Sequence, residues 1–255
     1  NRSQRAQLRH IHRFTGGRVT VAIASLPYKC PAAPYETAML IDGYLRQRGI
    51  RDVSQIAMYT PEPLPLPVAG PQAGYSVAAE LAARGITFHP RTPLEGVEPT
   101  ALRFGGELVP HDLAVVIPPH RPPDVIAKSS LAGPNGWIPV DRATLRTRAG
   151  NVYAIGDSTV IPLENGLALP KAGVFAHGEA EVVAENIARR IRGDLREDAF
   201  DGHGTCFLET GGGKSGLARG DFFASPVPKV AMHRPGRSWH AAKIAFEQYW
   251  LRRWL

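Results

Sequence analysis

The stretch Asn151 to Gly193, NVYAIGDSTVIPLENGLALPKAGVFAHGEAEVVAENIARRIRG, decides the fold, because it reads as strand, loop and helix in succession. Val152 to Ile155 is a short apolar, β-prone run that stops at Gly156-Asp157, which places a carboxylate at the mouth of a sheet. An aspartate there can accept a hydrogen bond from a ribose or ribityl hydroxyl. After a proline-interrupted loop, Val174, Phe175, Val182, Val183, Asn186, Ile187 and Ile191 recur at helical spacing, with Pro170 just before and Arg189, Arg190, Arg192 and Gly193 at the end. Proline at the opening and arginine with glycine at the close is helix punctuation. The helix is expected to begin near Ala172. Its free backbone N–H groups and positive dipole end lie beside Lys171 and suit an electron-rich ring oxygen or an anion.

The totals bound the rest. A chain of 255 residues has room for about two domains and a proper core. No run approaches the roughly 18 consecutive apolar residues of a membrane-spanning helix, and Asn1 does not start a signal peptide. The net charge of +7 comes from arginines scattered among acids and concentrated only near the two ends, which speaks against nucleic acid and fits an anionic membrane surface at least as well. Glycines and prolines punctuate periodic segments without forming a low-complexity tract or a repeat. Cys30 and Cys206, the two cysteines, match no zinc pattern. A redox disulfide and a pair of inert buried thiols are the open alternatives.

Residues 1–15 are basic and weakly amphipathic, as the end of a helix from a preceding segment would be. Arg18 to Ser25 is a β-branched run with the character of a buried parallel strand, and Pro34 to Arg48 a helix with Tyr35, Met39, Leu40, Tyr44 and Leu45 on one face. Gln55 to Tyr59 reads as a second strand, Ser76 to Arg84 as a second helix and Ile86 to His89 as a third strand. This βαβαβ order predicts a right-handed parallel sheet of the dinucleotide-binding kind. Such a domain grips its nucleotide with G-x-G-x-x-G after the first strand. Leu26 to Glu36, LPYKCPAAPYE, holds three prolines and no glycine there, so the domain is expected to have the Rossmann shape without binding NAD(P)H.

Leu94 to Val116 reads as a hairpin or meander about Gly105-Gly106, with strand pieces at Leu102 to Phe104 and Leu113 to Ile117. Pro118 to Pro123 is a stiff crossing that carries His120, which is either a proton relay or thiolate partner, or a surface loop histidine. Trp137 to Leu145 is a strand and turn leading to the opening stretch. Phe200 to Thr210 reads as turn and strand, Gly211 to Lys214 as a turn and Leu217 to Phe223 as a partner strand. The G-G-G-K-S run is not a P-loop, because Leu208 stands where its first glycine belongs. Trp239 to Leu255 interleaves Trp239, Phe246, Trp250, Leu251 and Trp254 with Lys243, Arg252 and Arg253. A membrane-interface helix, a helix packed on the core and a homo-oligomer contact are its alternatives.

The run YAIGD followed by LPKAG and a helix resembles the C-terminal flavin motif of two-dinucleotide-binding-domain flavoproteins, an α/β fold with Rossmann-like layers. With the K-C-P-x-x-P-Y-E loop, Pro118-Pro119-His120 and Gly204-Thr205-Cys206-Phe207 added, nearly the whole chain is similar to the sulfide:quinone oxidoreductase and flavocytochrome c sulfide dehydrogenase group. The resemblance implies that Cys30 and Cys206 form a disulfide flanking FAD and pass electrons to it from sulfide or a related small sulfur donor. It implies that Gly156 and Asp157 hold the ribityl chain and that the amides of Lys171, Ala172 and Gly173 face the flavin ring. It further implies that quinone or a cytochrome takes the electrons on, with peripheral membrane contact expected through residues 239–255. The expected location is membrane-peripheral or cytoplasmic in a prokaryotic type of cell, with the periplasm left open.

The expected organisation is residues 1–15 as the end of an N-terminal FAD segment, 16–125 as a Rossmann domain without its glycine loop, 126–195 as the C-terminal part of the FAD domain and 196–255 as a small α+β C-terminal hairpin and helix. The group's N-terminal glycine-rich third is not in these residues, so the stretch alone is expected to bind FAD weakly and to be inactive. An NADH:quinone-type flavin dehydrogenase and a non-catalytic, membrane-associated remnant are the competing readings.

Overall fold

The computed structural model of the chain describes residues 10–254, so the helix end expected over residues 1–15 lies partly outside the described residues; residues 10–13 are helical. Strand β1 (Gly17–Ile23) is the centre of the molecule, flanked by β2 (Ser54–Tyr59) and β7 (Leu113–Ile117) in a four-stranded parallel sheet of order β3-β2-β1-β7, with β3 (Ile86–His89) at its edge. Val19, Val21, Ala22 and Ile23 are fully buried, as expected of a parallel strand covered on both faces.

Helices α1 (Ala33–Gln47) and α2 (Pro71–Ala83) make the β1-α1-β2-α2-β3 crossovers. Tyr35, Met39, Leu45 and Leu81 are buried against the sheet with Val19, Ile56 and Met58. Each such side chain stabilises by about 1.5–3 kcal/mol. Leu40 is 45% exposed and does not belong to the buried face, since one residue of helix turns it about 100° from Met39. The other face of the sheet carries a three-stranded antiparallel meander, β4 (Leu94–Val97), β5 (Ala101–Phe104) and β6 (Glu107–Pro110), where Phe104 stacks on Tyr59 at 4.2 Å. Leu113 to Ile117, expected within this meander, instead joins the parallel sheet beside β1, which suits its unbroken apolar run.

After the short helix α3 (Asp124–Ala127), β8 (Ile138–Pro139) pairs in parallel with β9 (Thr159–Val160). Val152 to Ile155, expected as a strand, makes only an isolated bridge from Tyr153 to Arg146. Its backbone folds back on residues 145–147 around Gly150, and a 3-10 turn follows at Gly156–Ser158. Helix α4 (Gly173–Ile191) begins one residue after the expected Ala172. Its buried face is Phe175, Glu179, Val183 and Asn186, whereas Ile187 and Ile191 are 40% and 81% exposed.

The C-terminal residues form a three-stranded antiparallel sheet, β10 (His203–Gly211), β11 (Lys214–Asp221) and β12 (Lys229–Gly236), against which α5 (Arg237–Trp254) packs. The third strand mixes exposed Lys229, His233 and Arg234 and a proline with its few apolar residues, so its apolar signal is weak. Among the described residues no helix is long and apolar enough to cross a membrane.

Candidate active site

The approach to α4 builds one half of the site. Ala172 is the N-cap, in extended conformation and without a side-chain cap, and the first turn holds no acid. The amides of Phe175 and Ala176 donate to the Ala172 carbonyl, which leaves the Gly173 and Val174 N–H groups outside the helix ladder. The positive end of a 19-residue helix is thus open to an electron-rich partner. Gly156 must be glycine: its φ is +63°, and a Cβ would come within 3.1 Å of Ala176. Its N–H donates to Glu179 Oε2 at 2.5 Å. Glu179 is buried, which pushes its carboxyl up, while the Gly156 N–H and Lys171 pull it down.

Lys171 does not point at the helix end. Its Nζ donates to the carbonyls of Thr159 at 2.5 Å and Asp157 at 3.0 Å and lies 3.8 Å from the centre of the Trp137 ring. Partial burial lowers its ammonium, opposed by Asp157 and Glu179. The Asp157 carboxylate reaches Lys29 at 3.4 Å. With both partners about half exposed, that pair contributes at most about 1 kcal/mol and leaves the carboxylate accessible.

The other half comes from the loop into α1. The Cys30 N–H donates to the Lys171 carbonyl at 2.7 Å, so the two loops are joined by a backbone hydrogen bond. Cys30 is solvent-exposed, with φ +54°. Glu36, in the first turn of α1, accepts the Glu209 N–H of β10 at 2.7 Å. That bond ties α1 to the strand bearing Cys206. Gly204, two residues before Cys206, packs so closely that a Cβ would fall 2.5 Å from the Phe175 ring of α4. The β10 strand is therefore held against both helix N-termini.

Cys30 and Cys206 are free thiols in this structure, and Cys206 is partly exposed. Burial pushes the Cys206 thiol up to about 11, with Cys30 and Glu36 adding to the rise. Cys30 is exposed as a residue, yet crowding around its sulfur and then Glu36 raise its thiol as well. Each cysteine lies within electrostatic reach of Glu36, and Cys206 within reach of Cys30. His120 lines a cavity of about 550 Å³ with Tyr28, Glu62, Trp137, Leu169 and Lys171. Partial burial lowers the His120 imidazole, and the Lys29 and Lys171 cations lower it further, against Asp157.

The structure thus brings Cys30, His120, Asp157, Lys171 and the amide of Gly173 around one junction, with Cys206 on the neighbouring strand. Sequence reading passed over Trp137, Glu179 and Glu62. Of these only Glu179 had a legible signal, its place at helical spacing between Phe175 and Val183.

A Rossmann-like parallel core with attached antiparallel sheets is the fold of FAD/NAD-dependent reductases. Relatives of the chain within that class include sulfide:quinone oxidoreductases. The mitochondrial enzyme of Mus musculus is 26% identical over 229 residues, covering 84% of this chain and 48% of the relative. The sulfide-quinone reductase of Aquifex aeolicus (strain VF5) is 28% identical over 252 residues, 91% of this chain and 57% of the relative. The solved structure of the sulfide:quinone oxidoreductase from Aquifex aeolicus superimposes with a TM-score of 0.84 at 24% identity, covering 98% of this chain and 61% of that one. The family described as the central part of the sulfide dehydrogenase [flavocytochrome c] flavoprotein chain matches residues 3–63. The chain spans about half the length of the curated relatives it matches.

Proposed function

We propose that this chain carries the cysteine pair and part of the flavin site of an FAD-dependent oxidoreductase that takes electrons from sulfide and delivers them to quinone. The observation that carries the proposal is the 2.7 Å bond from the Cys30 N–H to the Lys171 carbonyl, which fixes a thiol at the approach to α4. Residues 156–174 fit a flavin: Asp157 offers an acceptor for ribityl hydroxyls, and the Gly173 and Val174 amides face outward at a helix end free of acids. FAD, when bound there, accepts an electron pair.

The residues of the chain do the rest. With both thiols raised, the reduced pair is a poor nucleophile near neutral pH, and in this reading the pair works as a Cys30–Cys206 disulfide that acts as electrophile towards sulfide. Hydrosulfide attacks one sulfur; a new S–S bond forms, the old one breaks, and a persulfide stays on one cysteine while the other leaves as a thiolate carrying the electron pair. A neutral His120 can take up the proton that the persulfide sheds. Glu179 holds Gly156, and with it Asp157, against α4.

In this reading residues 16–125 are a Rossmann unit that holds no dinucleotide, 126–195 belong to the FAD domain, and 196–255 supply the second cysteine and a peripheral contact. The α5 helix supports the contact: Phe246, Tyr249, Leu251 and Trp254 are each about half exposed beside Arg252 and Arg253. A cytochrome as acceptor is the second reading, favoured by the family matched over residues 3–63. The test is quinone reduction by the protein in its full natural length, loaded with FAD. Sulfide-dependent turnover that disappears in Cys30→Ser and in Cys206→Ser is expected, and turnover unchanged in either variant contradicts the disulfide route.

A further inference from the structure

Glu62 is a carboxylate only 3% exposed in the wall of the cavity, and burial raises it with no cationic group acting on it. Three hydroxyls converge on it. Tyr28 Oη donates to both carboxylate oxygens at 3.0 Å, Thr60 Oγ1 donates to Oε2 at 3.2 Å, and the Tyr35 hydroxyl donates to Oε2 as well. Tyr28 precedes Cys30 by two residues and Tyr35 follows it by five, so one buried group grips both sides of the cysteine loop. Tyr28 Oη also reaches the Pro31 carbonyl at 3.3 Å.

Between these anchors Cys30 sits at φ +54°, a left-handed conformation that a residue with a Cβ keeps only when its surroundings impose it. A buried carboxylate without a counter-cation is costly in a core whose only task is packing. An ionised carboxylate is also the side chain that can accept from three hydroxyls at once, having acceptor sites alone.

We infer that Glu62 is a positioning residue for Cys30, holding the cysteine loop in its strained form against the Lys171 carbonyl through the Tyr28 and Tyr35 hydroxyls. The inference rests on the proposed function only for the use to which Cys30 is put. Losing the grip frees the loop, and the thiol of this surface residue is no longer held where crowding around the sulfur and the Glu36 carboxylate raise it.

The test is timed alkylation of the Cys30 peptide by iodoacetamide across a pH series, read by mass spectrometry on the reduced protein in its full natural length, in wild type, Glu62→Gln and Tyr28→Phe. Expected is an alkylation rate at mildly alkaline pH raised about tenfold, the weight of one hydrogen bond to a charged acceptor. The midpoint of the pH profile should move down towards the ordinary thiol value of 9.0, read in variants whose circular dichroism shows them folded at the assay temperature. Rates and midpoints equal to wild type in the folded variants overturn the inference. Where Glu62→Gln fails to fold, Tyr28→Phe, which keeps the carboxylate, decides alone. Sulfide is absent from this measurement, so a wild-type flavin that ignores sulfide would defeat the proposed function without touching this result.

Discussion

The loop into α1 and the loop into α4 perform the same structural task, bringing the chain to a helix N-terminus past a proline, yet they leave those ends in opposite states. Into α1, the cysteine loop is glycine-free, its Cys30 amide is committed to the Lys171 carbonyl, and Glu36 places a carboxylate in the first turn. Into α4, Gly156 allows close packing and the first turn carries no acid, while both N-caps are alanines without a side-chain bond. A Rossmann crossover needs only the helix and the strand. Whether it binds an anion depends on a few residues that keep the helix end empty. Here one end has an acid in its first turn and a cysteine just ahead of its cap, while the other has neither, and in the proposed reading the first serves the sulfur and the second the flavin.

The comparison breaks first at the cysteines. Replacing Cys30 or Cys206 by serine is expected to lower sulfide-dependent quinone reduction about a thousandfold or more, since both sulfurs of a disulfide are needed. Steady-state assays of the full-length protein check this, and a loss confined to one cysteine would leave the pair without a shared role. Asp157→Ala should weaken FAD binding about ten- to a hundredfold by removing an ionised hydrogen-bond acceptor, read by equilibrium dialysis. Lys29→Ala, which removes only the half-exposed partner of Asp157, should change it far less.

A smaller effect sharpens the contrast between the two helix ends. Gly173→Glu gives α4 the acid that α1 already has, and a Cβ there meets nothing within 4 Å. FAD affinity should fall about two- to fivefold from the reversed dipole complementarity. The smallest effect concerns Glu179. Its folded carboxyl lies above the ordinary 4.5 because of burial, so the stabilisation it gives is fully present below that value and is lost as pH rises through the folded value. Urea melts from about pH 4, below the ordinary carboxyl value, up to about pH 7 should show wild type losing more stability with rising pH than Glu179→Gln. Equal losses would show that the Gly156 bond already holds the carboxylate ionised.

The parts of the fold legible in the sequence were those with strong periodicity: β1, α1, α4 and the cysteine hairpin β10–β11 all lie within a few residues of where the pattern puts them. Val152 to Ile155 misled because an apolar run of four residues fits a strand and an irregular turn equally well, and its hydrogen bonds go to residues 145–147. Leu113 to Ile117 misled by proximity to the meander, while its partner lay far back in the chain at β1. At the candidate site, the Gly156-Asp157 step stood out from local chemistry, whereas a role for Cys30 came only with the family resemblance. Glu62 and Trp137 were not, because their meaning lies in what they meet across the fold: two tyrosines for one and the Lys171 ammonium for the other.

The most direct measurement is an anaerobic titration of the oxidised, FAD-loaded protein of full natural length, following the visible absorbance of the flavin as sulfide or NADH is added. Bleaching by sulfide and none by NADH is the expected result, with the sulfide response abolished in Cys30→Ser. Bleaching by NADH, or by sulfide at an undiminished rate in Cys30→Ser, would contradict the assignment of one helix end to the sulfur and the other to the flavin.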